Sequence, residues 1–354
     1  MSRKAHAALY TTRGTSADPG NAEGQEGISG GAGDRARTKP RTGGGVPLYM
    51  AWRGALGDTG LWWSQTRDGI TWTPHQRVLG AMSLERPVLA AWRGLLYLAW
   101  RDERDQALWW AVSDGSSWSR PRAVPGAHSS HSPALVAGHH GLHLYWKGPG
   151  ADERLFHAAF DGRFWIPGQA LFNGWPMTSS RPSATTTHTA CTWLTFTGAG
   201  RDRTIRLCPS PDGTEWNHRH VVRGPHTATG SWPSVVGRTG AGRADRLLLA
   251  WPDHDGAVWC ALSQDAAQHW SRPAPVPART LRGIAFAGWG TVDAYAAWAM
   301  TPEGEYGIFW ADTTGGPTWH DPDTLCPLQH GQRRLDERAS LREPAMAAYG
   351  TMWR

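Results

Sequence analysis

Long apolar runs, paired cysteines and a strong excess of one charge are all missing from this chain of 354 residues. No stretch is long enough to cross a membrane as a helix, so membrane insertion is not expected. The N-terminal residues contain charges and glycines where a secretory signal needs an apolar core. These absences predict a protein that stays in the cytoplasm or leaves the cell by a non-classical route.

Cysteine is scarce and is not arranged for a metal site or a disulfide scaffold. The four cysteines are Cys191, Cys208, Cys260 and Cys326. They form no CxxC motif and no Cys/His ligand spacing. The histidines between residues 128 and 143 also lack a consistent ligand spacing. We therefore expect no metal and no other cofactor, while the sequence leaves open whether Cys191 and Cys208 are oxidised.

The positive charge is too weak and too evenly spread to indicate a nucleic-acid partner. The formal net charge is +6, and charged residues make up only 19% of the chain. Lysines and arginines exceed acids in residues 1–45, which lowers the excess left for the remaining chain. Without a basic run or an RNA-binding motif, this balance argues against a polyanionic partner.

Tryptophan and glycine are abundant, with 23 and 43 residues respectively. This composition indicates many short strands joined by tight turns rather than long surface helices, and hence an all-β fold. Residues 1–45 are rich in glycine and poor in large apolar side chains, which predicts a disordered tail. The folded part is expected to span residues 46–354.

A repeat of about 50 residues runs through that part of the chain. Each unit contains an apolar strand that ends in an aromatic residue, such as LYMAW at 48–52 and LYLAW at 96–100. A second apolar strand follows, and an acid lies three residues before it, as Asp58 does before Leu61. A turn and a tryptophan then close the unit, as in RDGITW and SDGSSW.

A fourth strand begins after a proline in most units, as in ERPVLAAW at 85–92. Four short strands per repeat are typical of a β-propeller blade. The first unit lacks its opening strand, whereas the chain ends with a spare one in EPAMAAYGTMWR. We therefore predict a six-bladed β-propeller of four-stranded antiparallel blades, closed by pairing of the N- and C-terminal strands, which removes two sheet edges.

The turn motif resembles the Asp-box of sialidase-type propellers, whose pattern is Ser/Thr-x-Asp-x-Gly-x-x-Trp. The segment from Ser263 through Asp265 to Trp270 has the full length of that pattern, with alanine in place of glycine. The resemblance implies that these residues are structural and lie on the face away from the ligand site. It also implies a glycosidase with an arginine triad and a tyrosine nucleophile, but no Arg-Ile-Pro motif occurs here. Most of the seven tyrosines lie inside the repeated strand or the tail, so we do not expect catalytic residues.

The repeated unit is also similar to the repeats of bacterial and fungal propeller lectins, which hold sugars through tryptophan, arginine and a carboxylate. An aromatic ring supplies apolar contact, while charged planar groups bond hydroxyls strongly. The loops between the second and third strands contain such sets, and further candidates lie on the connections into the following blades. The candidate sugar-binding residues are Trp52, Arg53, Asp58, Arg86, Trp100, Arg101, Asp105, Trp146, Lys147, Asp152, Arg181 and Trp232.

The leading hypothesis is a non-enzymatic, carbohydrate-binding propeller with these sites on the loop face opposite the Asp-box turns. A sialidase-like glycoside hydrolase is the alternative, and a protein-interaction scaffold that uses the charged segment 331–343 is a third. A purely structural role for the same residues also stays open, since an acid can cap a hairpin and Trp/Arg pairs can pack between blades. The sequence leaves the sugar, the number of sites and the oligomeric state undetermined.

Overall fold

The structure is a computed structural model. It describes residues 46–54, 57–69, 71–175, 177–187, 189–216, 222–223, 229, 231–238, 245–280, 283–289, 292–299, 308–313 and 345–348. Two predicted segments, the glycine-rich tail at 1–45 and the charged segment 331–343, lie outside these residues.

The described strands form six antiparallel sheets, which are numbered here in chain order. Sheet 1 contains β1 (Leu48–Arg53), β2 (Gly60–Thr66), β3 (Gln76–Met82) and β23 (Ala345–Ala348). Sheet 2 contains β4 (Val88–Trp92), β5 (Leu95–Arg101), β6 (Ala107–Ser113) and β7 (Arg122–His128). Sheet 3 contains β8 (Ala134–Ala137), β9 (Leu142–Lys147), β10 (Leu155–Phe160) and β11 (Gln169–Ala170).

Sheet 4 contains β12 (Ser183–Thr186), β13 (Thr192–Thr197), β14 (Ile205–Ser210) and β15 (Val222–Arg223). Sheet 5 contains β16 (Ser234–Arg238), β17 (Arg246–Pro252), β18 (Ala257–Ser263) and β19 (Ala274–Arg279). Sheet 6 contains β20 (Ala285–Trp289), β21 (Val292–Ala299) and β22 (Ile308–Thr313). One short 3-10 helix, Phe172–Gly174, follows β11. No helix among the described residues has the length and hydropathy needed to span a membrane.

The innermost strands of the sheets surround one narrow channel. In order around it, β23, β4, β8, β12, β16 and β20 each contact the next, and β20 contacts β23. Polar side chains join neighbouring inner strands: Ser132 Oγ donates to Arg86 O at 3.0 Å, and Gly237 N donates to Thr185 Oγ1 at 2.7 Å. Antiparallel sheets arranged around a central channel are the blades of a β-propeller, so the predicted all-β propeller is confirmed.

The central strands of each sheet are buried on both faces because each sheet packs between two others. All six residues of LHLYWK in β9 are buried, which explains the continuous apolar runs in the sequence. The outer strands β3 and β7 are mostly exposed and bury only every third residue, such as Val78 and Ala81. A bulge interrupts both outer strands, where Gly80 and Gly126 take φ values of +76° and +68° that favour glycine.

The first described strand pairs with the last. β1 and β23 are antiparallel neighbours, with Leu48 opposite Ala348 and Met50 opposite Met346. This pairing supplies the innermost strand of sheet 1, as the sequence led us to expect. With β23 in place, β1 has no free edge, and the ring of inner strands is closed between β20 and β4.

Removing β23 tests this closure. A chain that ends at residue 344 exposes the edge of β1 and opens the ring of inner strands, so we expect its melting temperature to fall by about 5 °C or more. Circular dichroism melts of the full and shortened chains measure the change. A chain shortened instead by residues 1–45 is the control, and equal melting of all three proteins would contradict a closing role for β23.

Candidate functional site

The three tryptophans predicted as sugar platforms belong to the core. Trp52, Trp100 and Trp146 expose only 1%, 0% and 2% of their surface. Each is the penultimate residue of a second strand whose two faces are both covered by neighbouring sheets. No sugar can stack on a ring that has no accessible face, so the structure corrects this part of the prediction.

The predicted basic residues tie one sheet to the next. Arg53 Nε donates to Ser83 O at 2.9 Å, and Arg101 Nε donates to Ser129 O at 2.8 Å. Lys147 Nζ, which is 3% exposed, donates to Ser130 Oγ at 3.0 Å and to Gly150 O at 2.7 Å. Burial lowers the pKa of Lys147. These cations therefore hold the connections between sheets, and the structure assigns them a packing role.

Buried hydroxyl groups, which were not among the predicted residues, add further hydrogen bonds on the connections between sheets. Ser83 Oγ lies 2.7 Å from Arg101 O and accepts a hydrogen bond from Glu85 N at 3.1 Å. Ser83 Oγ also donates to Glu85 O at 2.9 Å, and this pair of contacts with the residue two positions on recurs at Ser129, Thr178 and Thr229. Each hydroxyl residue precedes the proline of a fourth strand by four positions, as Ser83 precedes Pro87. That spacing was the signal that could have identified them.

The predicted acids cap the hairpins between the second and third strands. Asp58 Oδ1 accepts from Gly60 N at 2.8 Å, Asp105 Oδ1 from Ala107 N at 2.9 Å, and Asp152 Oδ1 from Arg154 N at 3.0 Å. In sheet 5 the repeat places Asp255 three residues before Val258, but the cap is Asp253, which accepts from Ala257 N at 2.9 Å. The capping alternative therefore accounts for these backbone contacts.

The other three candidates lie on the connections into sheets 2, 4 and 5, next to the inner strands. Arg86 is buried, and desolvation lowers its pKa to about 10 against the opposing effect of Glu85. Arg181 is also buried, and its guanidinium lies 4.6 Å from the ring centroid of the half-buried Trp232. The edge of His131 reaches the same indole at 6.4 Å. The structure thus brings Arg181 and Trp232 together.

A set of aromatic, basic and acidic side chains does form on the hairpin face, but one strand further out than predicted. Trp62 Nε1 donates to Asp58 Oδ2 at 2.8 Å, and Arg77 Nη2 donates to Asp58 Oδ1 at 3.0 Å. The Arg77 guanidinium also lies 5.5 Å from the Trp62 ring centroid. The side chains of Arg77 and Asp58 are 50% and 34% exposed, and Trp62 is half-buried. This group, Trp62, Arg77 and Asp58, is called the outer triad below.

Related groups occupy the same position in other sheets. In sheet 3, Arg154 lies 5.1 Å from the Phe156 ring and donates to Asp152 at 2.9 and 2.7 Å. In sheet 5, Trp259 Nε1 donates to Asp253 Oδ2 at 3.1 Å. The first aromatic of motifs such as LWWS supplies these rings. Successive side chains of a strand point to opposite faces of the sheet, so the first and second aromatics of the motif lie on opposite faces. This alternation could have identified the first aromatic as the exposed one.

That second aromatic fills the space between neighbouring sheets. Trp63 of sheet 1 contacts Trp118 of sheet 2 edge to face, with 6.2 Å between the ring centroids. Trp110 of sheet 2 contacts Trp165 of sheet 3 in the same way at 6.0 Å. In both cases the partner is the tryptophan that follows the outer turn. The turn itself is held by its aspartate, as Asp212 shows by accepting from Glu215 N at 2.9 Å.

Sheet 3 has His157 at this position, and a cleft opens between sheets 3 and 4. The cleft has a volume of about 390 Å³. Its lining includes His157, Gln169, Phe172, Asn173, Glu215 and Trp216. Trp216 is the turn tryptophan of sheet 4, and its Nε1 donates to Gly213 O at 3.1 Å. No sequence signal pointed to this cleft, because its lining comes from two sheets and from the connection between them.

A pair of buried histidines lies beneath the cleft. His143 Nδ1 and His157 Nε2 are 3.0 Å apart, and both rings stack with Tyr145. Burial lowers the pKa of His143 to about 4, and burial together with the proximity of His143 lowers that of His157 to about 3. Both rings are therefore neutral near pH 7, and one proton is shared between the two facing nitrogens. Among the described residues, no three His, Cys, Asp or Glu side chains group as metal ligands, and Cys191, Cys208 and Cys260 are free thiols.

The fold is similar to solved structures of a fungal lectin, of the protein AofleA and of a sialidase. A mutant of Aleuria aurantia lectin in complex with Fucα1-6GlcNAc matches with a TM-score of 0.58 and 14% identity, over 77% of this chain and 90% of the lectin. AofleA from Arthrobotrys oligospora matches with a TM-score of 0.58 and 11% identity, over 89% and 92%. The Hadza microbial sialidase Hz136 matches with a TM-score of 0.50 and 15% identity, over 73% and 65%.

These similarities concern the fold alone, because the identities are low. No known family profile matches the chain, and no curated protein matches it. The chain is thus similar in fold to lectins with a β-propeller architecture.

The first prediction from the site concerns the buried hydroxyl group of Ser83. Ser83→Ala removes the acceptor of Glu85 N and a buried hydroxyl that contacts two carbonyl oxygens. We expect the free energy of unfolding to fall by about 1–3 kcal/mol, as measured by urea titration. Ser117→Ala, at an exposed turn position, is the control and should change it by less than about 0.5 kcal/mol. Equal effects of the two changes would contradict the role of Ser83.

The second prediction concerns acid. In the unfolded chain both histidines of the buried pair titrate near pH 6.5, whereas in the folded chain they stay neutral down to about pH 4 and 3. The unfolded state binds more protons across this window, so the free energy of unfolding falls as pH drops from 6.5 to 4, by at most about 1.4 kcal/mol per pH unit and histidine. Urea titrations at several pH values measure the slope. The variant His143→Asn/His157→Gln should flatten it, and an unchanged slope would refute this assignment.

Proposed function

We propose that this protein is a non-enzymatic, carbohydrate-binding propeller with six blades, and that it presents sugar sites on the hairpin face. The outer triad carries this proposal, because it combines an accessible indole with a cation and a carboxylate. The predicted residue types therefore remain in the proposal, with Trp62 and Arg77 in place of Trp52 and Arg53. Asp58 and Asp152 keep the role assigned from the sequence.

The chemistry of the outer triad suits a sugar. An indole offers an apolar face to the C–H groups of a pyranose, and charged planar groups make strong, directional hydrogen bonds to hydroxyls. Asp58 fixes the indole through Nε1 and the guanidinium through Nη2, so both groups are held in place before a ligand arrives. Preorganised side chains lose less conformational entropy on binding.

The proposed blade number has two supports. Six sheets have their inner strands in one closed sequence of contacts, and a solved structure of Aleuria aurantia lectin, with a TM-score of 0.53, is described as six-bladed. Solved neighbours are also described in complex with a fucoside, which makes fucose the first sugar to test. Several weak sites on one face would act together through avidity.

The described tyrosines support a hydrolytic function less well than the outer triad supports sugar binding. The Tyr145 hydroxyl donates to Gly213 O at 2.6 Å, and burial raises the pKa of both Tyr145 and Tyr97. A phenol that is buried and held neutral is a poor nucleophile. Hydrolysis of a fluorogenic sialoside by the purified protein would support the sialidase-like alternative and count against a lectin.

A glycan array on residues 46–354 tests the proposed function. We expect binding to a subset of neutral glycans, and the variant Trp62→Ala/Arg77→Ala should lower affinity for that subset about tenfold or more, because it removes the platform and one hydrogen-bonding group. Arg163→Ala, which changes an exposed arginine beside Phe164 on an outer turn, is the matched control and should bind as the unmodified protein does. An array without any bound glycan would overturn the proposal.

A further inference from the structure

We infer that Asp161–Gly162, in the outer turn that connects β10 to β11, is a site of spontaneous covalent modification at which aspartate converts to isoaspartate through a cyclic imide. The reacting groups are the side-chain carboxyl group of Asp161 and the backbone nitrogen of Gly162. The turn follows the C-terminal end of β10, whereas the hairpin that carries Asp152 precedes its N-terminal end. The site is therefore separate from the residues proposed to bind sugar.

The reaction needs only water besides these two groups. The Gly162 nitrogen bonds to Cγ of the protonated Asp161 side chain, and the hydroxyl group of that carboxyl leaves with the amide proton as water. Hydrolysis of the imide then adds one water molecule. Opening at Cγ restores aspartate, whereas opening at the backbone carbonyl carbon leaves the chain connected through Cβ and Cγ, which is isoaspartate. A glycine favours the first step because it has no side chain to hinder the close approach of its backbone.

The outer turns of sheets 2 and 3 are a matched pair for this reaction. They have the same length, with SDGSSW at 113–118 and FDGRFW at 160–165. In both turns the first residue forms a bridge with the closing tryptophan, the aspartate is exposed, and the glycine has a positive φ, of +95° in sheet 2 and +105° in sheet 3. A difference in reactivity between the two Asp-Gly pairs therefore reports on their hydrogen bonds.

The two turns differ in the partner of the glycine N–H. Gly115 N donates to Ser113 Oγ at 2.9 Å, and the turns of sheets 1, 4 and 5 have the equivalent bond to a serine or threonine hydroxyl. In sheet 3 the residue at the position of Ser113 is Phe160, whose side chain has no acceptor. Among the residues that the structure describes, Gly162 N has no hydrogen-bond acceptor. Its nitrogen can therefore react without first losing a hydrogen bond.

The Asp161 carboxylate is also held by fewer hydrogen bonds than its counterpart in sheet 2. Asp114 Oδ1 accepts two backbone N–H bonds and a third bond from Ser116 Oγ at 2.7 Å. Asp161 Oδ1 accepts bonds from Arg163 N and Phe164 N, at 2.7 and 2.8 Å. The Ser116 hydroxyl is the main cause of the lowered pKa of Asp114, and the bond from Phe164 N is that of Asp161. Because bonds to the ionised form disfavour the protonated form that reacts, the additional bond slows Asp114 further.

Conversion to isoaspartate alters the contact between sheets 2 and 3. The product has one more carbon atom in its backbone, which lengthens a turn that ends at Trp165. The centroid of the Trp165 ring lies 5.2 Å from that of Phe160 and 6.0 Å from that of Trp110 in sheet 2. A longer turn displaces this indole from a close-packed position, so we expect the modified protein to melt at a lower temperature than the unmodified one.

Ageing of the purified full-length protein tests the site. After several weeks at neutral pH, chromatography with mass spectrometry separates the aspartate and isoaspartate forms of each proteolytic peptide, which have equal mass. Methylation by an isoaspartyl O-methyltransferase with labelled S-adenosylmethionine identifies the isoaspartate. We expect it to accumulate about fivefold faster at Asp161 than at Asp114, because Gly115 N must first lose its hydrogen bond. In protein unfolded with urea the two rates should be nearly equal, because the folded contacts are absent there.

Ser113→Ala provides a second test, because it removes the acceptor of Gly115 N and leaves the turn of sheet 3 unchanged. We expect the rate at Asp114 to rise about fivefold, while the rate at Asp161 stays the same. Ser117→Ala, at an exposed position of the same turn, is the matched control and should alter neither rate. Equal rates at the two aspartates in the folded, unsubstituted protein, or an unchanged rate at Asp114 in folded Ser113→Ala, would overturn the inference.

Discussion

Contact between neighbouring sheets is the interaction on which the rest of this structure depends. A single sheet of three or four short strands has two apolar faces and cannot bury either of them alone. In sheets 1 and 2 the third strand presents an indole to the tryptophan behind the next sheet's turn, as Trp63 does to Trp118 and Trp110 does to Trp165. The turn aspartates and the buried hydroxyls at Ser83 and Ser129 hold the two sides of this contact at fixed positions.

Repetition of that contact is also what allows function to vary. The side chain at the position of Trp63 differs between sheets: it is His157 in sheet 3, Leu207 in sheet 4 and Cys260 in sheet 5, and His157 lines a cleft between sheets 3 and 4. The surrounding sheets keep their shape because their own contacts are complete. On the hairpin face, by contrast, the hydrogen bonds of the outer triad join residues of sheet 1, and the side chains of Arg77 and Asp58 are 50% and 34% exposed. The core and the candidate sites thus depend on different residues of the same repeat.

The architecture could be predicted from the sequence because the same pattern of strands recurs several times along the chain. The runs LYMAW, LYLAW and LHLYW mark the second strands, and the structure has β1, β5 and β9 there. The binding residues were harder to predict, since burial depends on the neighbouring sheet and not on the strand itself. Trp52 and Trp62 are both strand tryptophans near the same hairpin, yet one is core and the other half-exposed. Nothing within one repeat could show that His157, Phe172 and Trp216 would meet, because they belong to three separate segments.

The pairing of β1 with β23 has a consequence for how the chain reaches its folded state. Met50 is among the first residues of the folded region to leave a ribosome, and Met346, its partner across the ladder, is among the last. Long-range pairings of this kind close slowly, because the chain between them must already be ordered. Sheets 2 to 5 can form in order during synthesis, while sheet 1 waits for its inner strand. Closure of the ring of inner strands therefore has to follow the synthesis of β23.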